Sequence, residues 1–138
     1  MRVTERDVER VPPGNLRVPR RDFGVLWAAA EQRSELQGAE GVTDYAAGGV
    51  AITCRWLARA TVDGPGGRRR LAHTPITRSA RLAQEELIEA EYLAAETLAA
   101  RSAPPQWLAS RPGYLAAVCT TLRWAWRGSG AAPTWGPS

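Results

Sequence analysis

The residues with the most distinctive chemistry are two copies of Arg-Trp-x-x-Arg. Arg55, Trp56 and Arg59 stand in GGVAITCRWLAR, residues 48–59, and Arg123, Trp124 and Arg127 stand in AAVCTTLRWAWR, residues 116–127. On a helix, side chains four apart share a face, so each copy presents two guanidinium forks side by side. Such forks grip carboxylate or phosphate bidentately, and a neighbouring tryptophan offers a face on which a cation or planar group can stack. A partner exists within the chain itself: residues 82–96 carry Glu85, Glu86, Glu89, Glu91 and Glu96 and no basic residue. Pairing of the arginines with those carboxylates across a bundle is the favoured expectation.

A second basic cluster, Arg68, Arg69 and Arg70, follows the turn DGPGG at residues 63–67. Backbone amides and guanidinium groups of such a loop suit an anion. GPGGRRR lacks the GK[ST] ending of a phosphate-binding P-loop, so a solvated loop is the plainer reading. Together with Arg55 and Arg59, these three make the candidate contact for an anion or a nucleic acid, whose phosphates would give salt-dependent binding.

Catalytic and metal chemistry find less support. Glu85 and Glu89 share a helical face, but carboxylate metal sites in bundles add Glu-x-x-His ligands, and the single histidine, His73, precedes the glutamate-rich segment. No Ser/His/Asp or Cys/His arrangement assembles around His73. Cys54 and Cys119 are not in CxxC spacing and sit in apolar surroundings, which reads as two reduced core thiols. The expectation is therefore no enzyme, no metal and no cofactor.

The six tryptophans point to contacts instead. Trp27 and Trp56 fit core positions. Trp124 and Trp126 project about 200° apart on a helix, so one of them faces away from any single core. Trp135 lies in a Gly/Pro-rich end with nothing local to bury it. Arg123, Trp124, Trp126, Arg127 and Trp135 are the candidate protein interface, since aromatic and arginine anchors dominate binding energy.

The elements that must position these residues follow from spacing and breakers. A chain of 138 residues with 44% hydrophobic and 23% charged content is sized for one soluble domain. All 18 basic residues are arginine and the net charge is +4, mild for an indiscriminate nucleic-acid binder. The charged N-terminus does not resemble a signal peptide and no early apolar run spans a bilayer, so a cytoplasmic protein away from membranes is expected. Residues 1–21, with Pro12, Pro13 and Pro19, read as an extended arm. Phe23, Leu26, Trp27, Ala30 and Ser34 share a helical face, with Asp22 as cap and Gly38 as stop. Thr43 is the expected cap, and Val42 the staple, of the next segment. Thr74-Pro75 predicts the start of a long helix to about Arg101. Gln106 to Ser110 suits a single turn, Gly113 to Arg127 a last helix, and residues 128–138 a flexible tail.

The segment 48–59 itself reads two ways, as an alternating strand with RRRLAH as its hairpin partner or as a helix. Sliding the chain by 68 residues aligns it with 116–127 and matches Val50, Thr53, Arg55, Trp56 and Arg59 with Val118, Thr121, Arg123, Trp124 and Arg127. The second copy lacks alternation, so the candidate repeat favours helix for both. Gly48 and Gly49 would then cost about 1 kcal/mol each against alanine, tolerable where another helix approaches closely.

The expected fold is all-α: a small bundle of four main helices in two helical hairpins, with an internal repeat, an N-terminal arm and a C-terminal tail. A single helical domain covers 22–127, with hairpins 22–62 and 75–127 joined by a loop, 63–74. The expected function is a non-catalytic protein-binding or accessory subunit, in a homo-oligomer or with a protein partner, and nucleic-acid binding is the alternative.

Overall fold

Phe23, Leu26, Trp27 and Ala30 form the buried face of α2 (Arg20–Ala39) in a computed structural model that describes residues 1–135. The helix starts earlier than Asp22 suggests. Pro19, at φ −58°, occupies the cap position, and Asp22 lies in the first turn, where its charge favours the helix dipole. Its end is also displaced, from Gly38 to Gly41, which adopts φ +77°. There Val42 N–H donates to Gln37 O at 2.9 Å and Gly41 N–H to Gly38 O at 3.0 Å, closing the last turn.

The ambiguous segment is helical: α3 spans Tyr45–Leu57. Its cap is Asp44, not Thr43. Asp44 Oδ1 accepts Ala47 N–H at 2.9 Å and Oδ2 accepts Arg33 Nε–H at 3.0 Å. Partial burial works against the charged carboxylate, but these hydrogen bonds and Arg33 hold its pKa below the ordinary value. The expected staple residue, Val42, stays exposed. The hairpin signal is also real, one element later: DGPGG joins β1 (Thr61–Asp63) to β2 (Arg69–Leu71) in a two-stranded antiparallel sheet.

The largest departure lies at 75–84. The fourth helix, α4, begins only at Glu85 and runs Glu85–Ala99, not from Pro75. The buried Glu91 carboxylate accepts Ile76 N–H at 2.8 Å, together with the Thr77 N–H and hydroxyl. Thr74 Oγ1 accepts Ser79 N–H at 2.8 Å, and Arg78 is turned to φ +56°. Trp56 Nε1–H reaches Arg81 O at 2.7 Å, while Asn15 and Arg59 both donate to Ala83 O. Groups distant in sequence thus bond the backbone of 76–83 and hold it out of a helix. Thr74-Pro75 remains a good local start signal, and tertiary contacts override it.

A single turn, α5 (Gln106–Ala109), precedes α6 (Tyr114–Ala125). In the core, α3 packs against both α2 and α6, and α4 packs against α6. Val50, Cys54 and Leu57 meet Val118 and Leu122 in one buried cluster. Thr53 and Thr121 are both fully buried, and each satisfies its hydroxyl on the carbonyl four residues back, Gly49 O at 2.8 Å and Ala117 O at 2.7 Å. The architecture is four main helices, shorter helical turns and a small sheet. Among the described residues no helix is long and apolar enough to cross a membrane.

The ends differ from the expected extended arm and tail. Residues 1–21 contain α1 (Glu5–Glu9), closed by a Thr4–Asp7 capping box, and a 3-10 turn at Pro13–Asn15. Val8 packs directly on Gly24, and Val11, Asn15 and Leu16 are buried. Asn15 explains why this arm is fixed: its amide donates to Leu57 O at 2.8 Å and Ala83 O at 3.2 Å, tying three segments together. At the other end, Ser129 N–H donates to Arg123 O at 3.0 Å and Pro133 is buried, so the chain folds back over α6. Positions 136–138 of the expected tail lie outside the described residues.

Candidate functional site

The hairpin, α3, the loop 72–79 and the start of α6 enclose a cleft of about 240 Å³. The pairing register decides which arginine enters it. Val62 opposes Arg70 and both line the cleft, whereas Arg69, one residue away, turns to the other face. There Arg69 bonds Asp63 Oδ1 at 2.8 Å and Thr61 O at 3.1 Å. Arg68 is exposed at the turn. Arg70 Nη1 lies 3.4 Å from His73 Nε2.

Arg55 reaches the cleft from α3, but its charge is matched. Its Nε and Nη2 donate to the two oxygens of Glu31 at 2.6 and 2.5 Å, and this pairing holds its guanidinium pKa above the ordinary value. Glu31 is only 2% exposed and also accepts Trp27 Nε1–H at 3.0 Å. Arg78 enters from the loop, its guanidinium carbon 5.1 Å from the centre of the Trp107 ring, which Arg111 also covers at 5.5 Å. Tyr114 forms a wall. Its hydroxyl donates to Pro75 O at 2.6 Å, and burial pushes its pKa up to about 12 against the opposing pull of Arg78 and Arg111. Among the described residues neither Arg70 nor Arg78 forms an ion pair. Two of the three arginines lining the cleft thus have no carboxylate partner among the described residues, although the buried Glu91 charge is felt at Tyr114.

A second concavity, of about 600 Å³, is mostly apolar. Trp124 from α6 and Trp135 from the C-terminal segment line it together with Val25 and Leu26 of α2. Val25 is 66% exposed, and so is Leu36, at 60%, three turns further along α2.

The arginine and tryptophan candidates divide accordingly. Arg123 and Arg127 pair with α4 as the charge pattern leads one to expect, Arg123 with Glu96 at 2.5 Å and Arg127 with Glu89 at 2.6 Å. Trp126 is the inward member of its pair: it is 8% exposed, donates to Glu89 Oε1 at 2.8 Å and lies beneath Arg17. Trp124 and Trp135 remain half-buried in the groove. Arg55 chooses Glu31 on α2 rather than residues 82–96, and Arg59, in a left-handed turn at φ +55°, donates to Ala83 O. Of the five anion candidates, only Arg55 and Arg70 share the cleft.

Glu31 and Arg78 escaped sequence reasoning, and Glu91, expected among the arginine partners, instead accepts the Ile76 and Thr77 amides. Glu31 left a trace, since it sits four residues after Trp27 beside the apolar stripe of α2. Arg78 left none, and the role of Glu91 changed, because both depend on the loop 74–79. Among the described residues no His/Cys/Asp/Glu group is arranged to hold a metal ion. The chain matches no protein-family model, no curated protein and no solved structure.

Proposed function

We propose that this chain is a non-catalytic, protein-binding subunit that docks through the outer face of α2 and the Trp124–Trp135 groove. The observation that carries the reading is the meeting of two half-buried tryptophans with exposed Val25 in one open apolar groove. Contiguous apolar surface rimmed by polar residues is characteristic of interaction sites, and tryptophan is the strongest anchor type. The thiols fit a non-catalytic role: burial pushes the Cys54 thiol well up and Cys119 to about 11, so neither supplies a thiolate near neutral pH.

A second copy of the chain is the occupant that the α2 face suits. Arg21, Val25, Ala29, Gln32, Leu36 and Glu40 recur at helical spacing along its outer side. Two such helices packed antiparallel about a two-fold axis oppose Val25 to Leu36, Ala29 to Gln32, and Arg21 to Glu40. Apolar meets apolar and plus meets minus, the self-complementarity that a symmetric dimer requires. The groove lies at the Val25 end, where Leu36 of the second copy arrives.

Light scattering on the purified chain tests this. A dimer is expected, converted to monomer by Leu36→Glu and weakened by Arg21→Glu or Glu40→Arg alone. The double charge swap should restore it. A monomer at every accessible concentration, or a dimer indifferent to all four variants, refutes the proposal. Nucleic-acid binding through Arg55, Arg59, Arg68, Arg69 and Arg70 has weaker support, because those side chains form no continuous strip. Salt-dependent retention on DNA or RNA, lost in Arg68/Arg69/Arg70→Ala, would favour it.

A further inference from the structure

We propose that the cleft between the β-hairpin and the loop 72–79 is a binding site for a phosphomonoester dianion, held between Arg70 and Arg78 with His73 beside them. The inference does not rest on self-association, which involves other residues.

Charge is the first reason. Three arginines line the cleft, and Glu31 neutralises only Arg55. Asp63 pairs with Arg69 on the far side of the hairpin, and Glu91, whose charge reaches Tyr114, is turned to the Ile76 and Thr77 amides and forms no ion pair with Arg70 or Arg78. Arg70 and Arg78 both line one concave space without a carboxylate partner, so an anion placed there is attracted by both. The two forks together offer more donors than a carboxylate has oxygens. A terminal phosphate brings close to two charges and three acceptor oxygens, which match two forks and a ring nitrogen.

Conformation is the second reason. Arg78 holds a left-handed backbone at φ +56°, uncommon for a residue with a side chain and costly when forced. The loop compels it from several sides. Thr74 Oγ1 fixes Ser79 N–H, Glu91 fixes the amides of residues 76 and 77, and the Trp107 ring supports the guanidinium. A strained arginine is thus held ready at the rim of a cationic cleft before any ligand arrives, which lowers the ordering cost of binding.

Shape is the third. The space, about 240 Å³, is backed by buried Thr74 and Tyr114, with Ile52 and Val62 supplying apolar surface. It admits a phosphate and a small attached group. An internal phosphodiester carries a single charge and needs a chain exit on both sides, so it fits less well.

Because His73 is the only histidine, its ring protons give an isolated NMR signal inside the cleft. The test titrates inorganic phosphate, adenosine monophosphate and a dinucleotide joined only by a phosphodiester, at fixed alkaline pH and constant ionic strength. The two monoester-type probes should shift His73 saturably, while acetate and the phosphodiester do not. Arg70→Gln, on an exposed strand, and Arg78→Gln should each weaken binding about tenfold or more, the scale of one lost charge-assisted contact. Arg69→Gln should leave binding unchanged. Absence of a saturable shift overturns the proposal, as does equal binding of the phosphodiester. Undiminished phosphate affinity in Arg70→Gln also overturns it, whether or not Arg78→Gln folds.

Discussion

Gly48 and Gly49 are adjacent in α3, yet adding one methyl group to each should move stability in opposite directions. Glycine in a helix interior is about 1 kcal/mol less favourable than alanine, because the free chain loses more conformational entropy. At Gly48 an added Cβ meets nothing within 4 Å. Gly48→Ala should therefore stabilise the protein by about 0.5–1 kcal/mol. At Gly49 the same atom would lie 2.9 Å from the backbone oxygen of Tyr114 and 3.0 Å from Ala117 Cβ. Both belong to α6, and the first is backbone, so no side-chain rotation relieves the clash. The two helices must separate, loosening Val50, Thr53, Val118 and Thr121 at their contact. Overpacking of this kind costs about 1–3 kcal/mol and outweighs the propensity gain. Two variants of identical composition should thus differ by about 2 kcal/mol. Urea unfolding followed by circular dichroism reads this as midpoints on either side of wild type at an unchanged slope. If Gly49→Ala is as stable as Gly48→Ala, the close approach of α3 and α6 is not what retains that glycine.

Two further outcomes follow from the caps and ties. Asn15→Ala removes the amide shared by Leu57 O and Ala83 O, and should cost about 1–3 kcal/mol in urea unfolding; Asn15→Asp, which sets a carboxylate against two carbonyls, should cost more. Stability of Asn15→Ala equal to wild type would remove the N-terminal arm from the cooperative fold. Asp44 has a depressed pKa, so its stabilisation is fully present above the ordinary value of 3.8 and is lost as pH falls through the lower folded-state value. Asp44→Ala should cost about 1–2 kcal/mol at neutral pH, and the difference from wild type should shrink in acid. A difference that grows in acid would contradict the sign.

Much of the helical framework was legible in the sequence. The apolar stripe from Phe23 to Ala30, the proline breaks around α5 and the span of α6 are local properties, written in the period of one helix. The match of residues 48–59 to 116–127 favours the helix over the strand, and α3 is a helix; common origin of the two copies is a separate matter. Charge patterning anticipated Arg123 and Arg127 on the α4 glutamates. In the candidate sites, sequence alone singled out Trp124, Trp135, Arg55 and Arg70 without saying what would stand beside them.

Tertiary structure decided the rest, for one physical reason. Backbone amides and carbonyls carry no sequence signature of their own, and a distant side chain can claim them. Glu91 takes the amides of Ile76 and Thr77, Asn15 and Arg59 take Ala83 O, and Trp56 takes Arg81 O. Each such bond is worth as much as the helix propensity of several residues, so a good local helix signal at Thr74-Pro75 gives way to a loop. That loop carries Arg78 to Arg70 and His73. The cleft exists because partners far apart in the chain compete successfully with local hydrogen bonding, a competition that periodicity does not record.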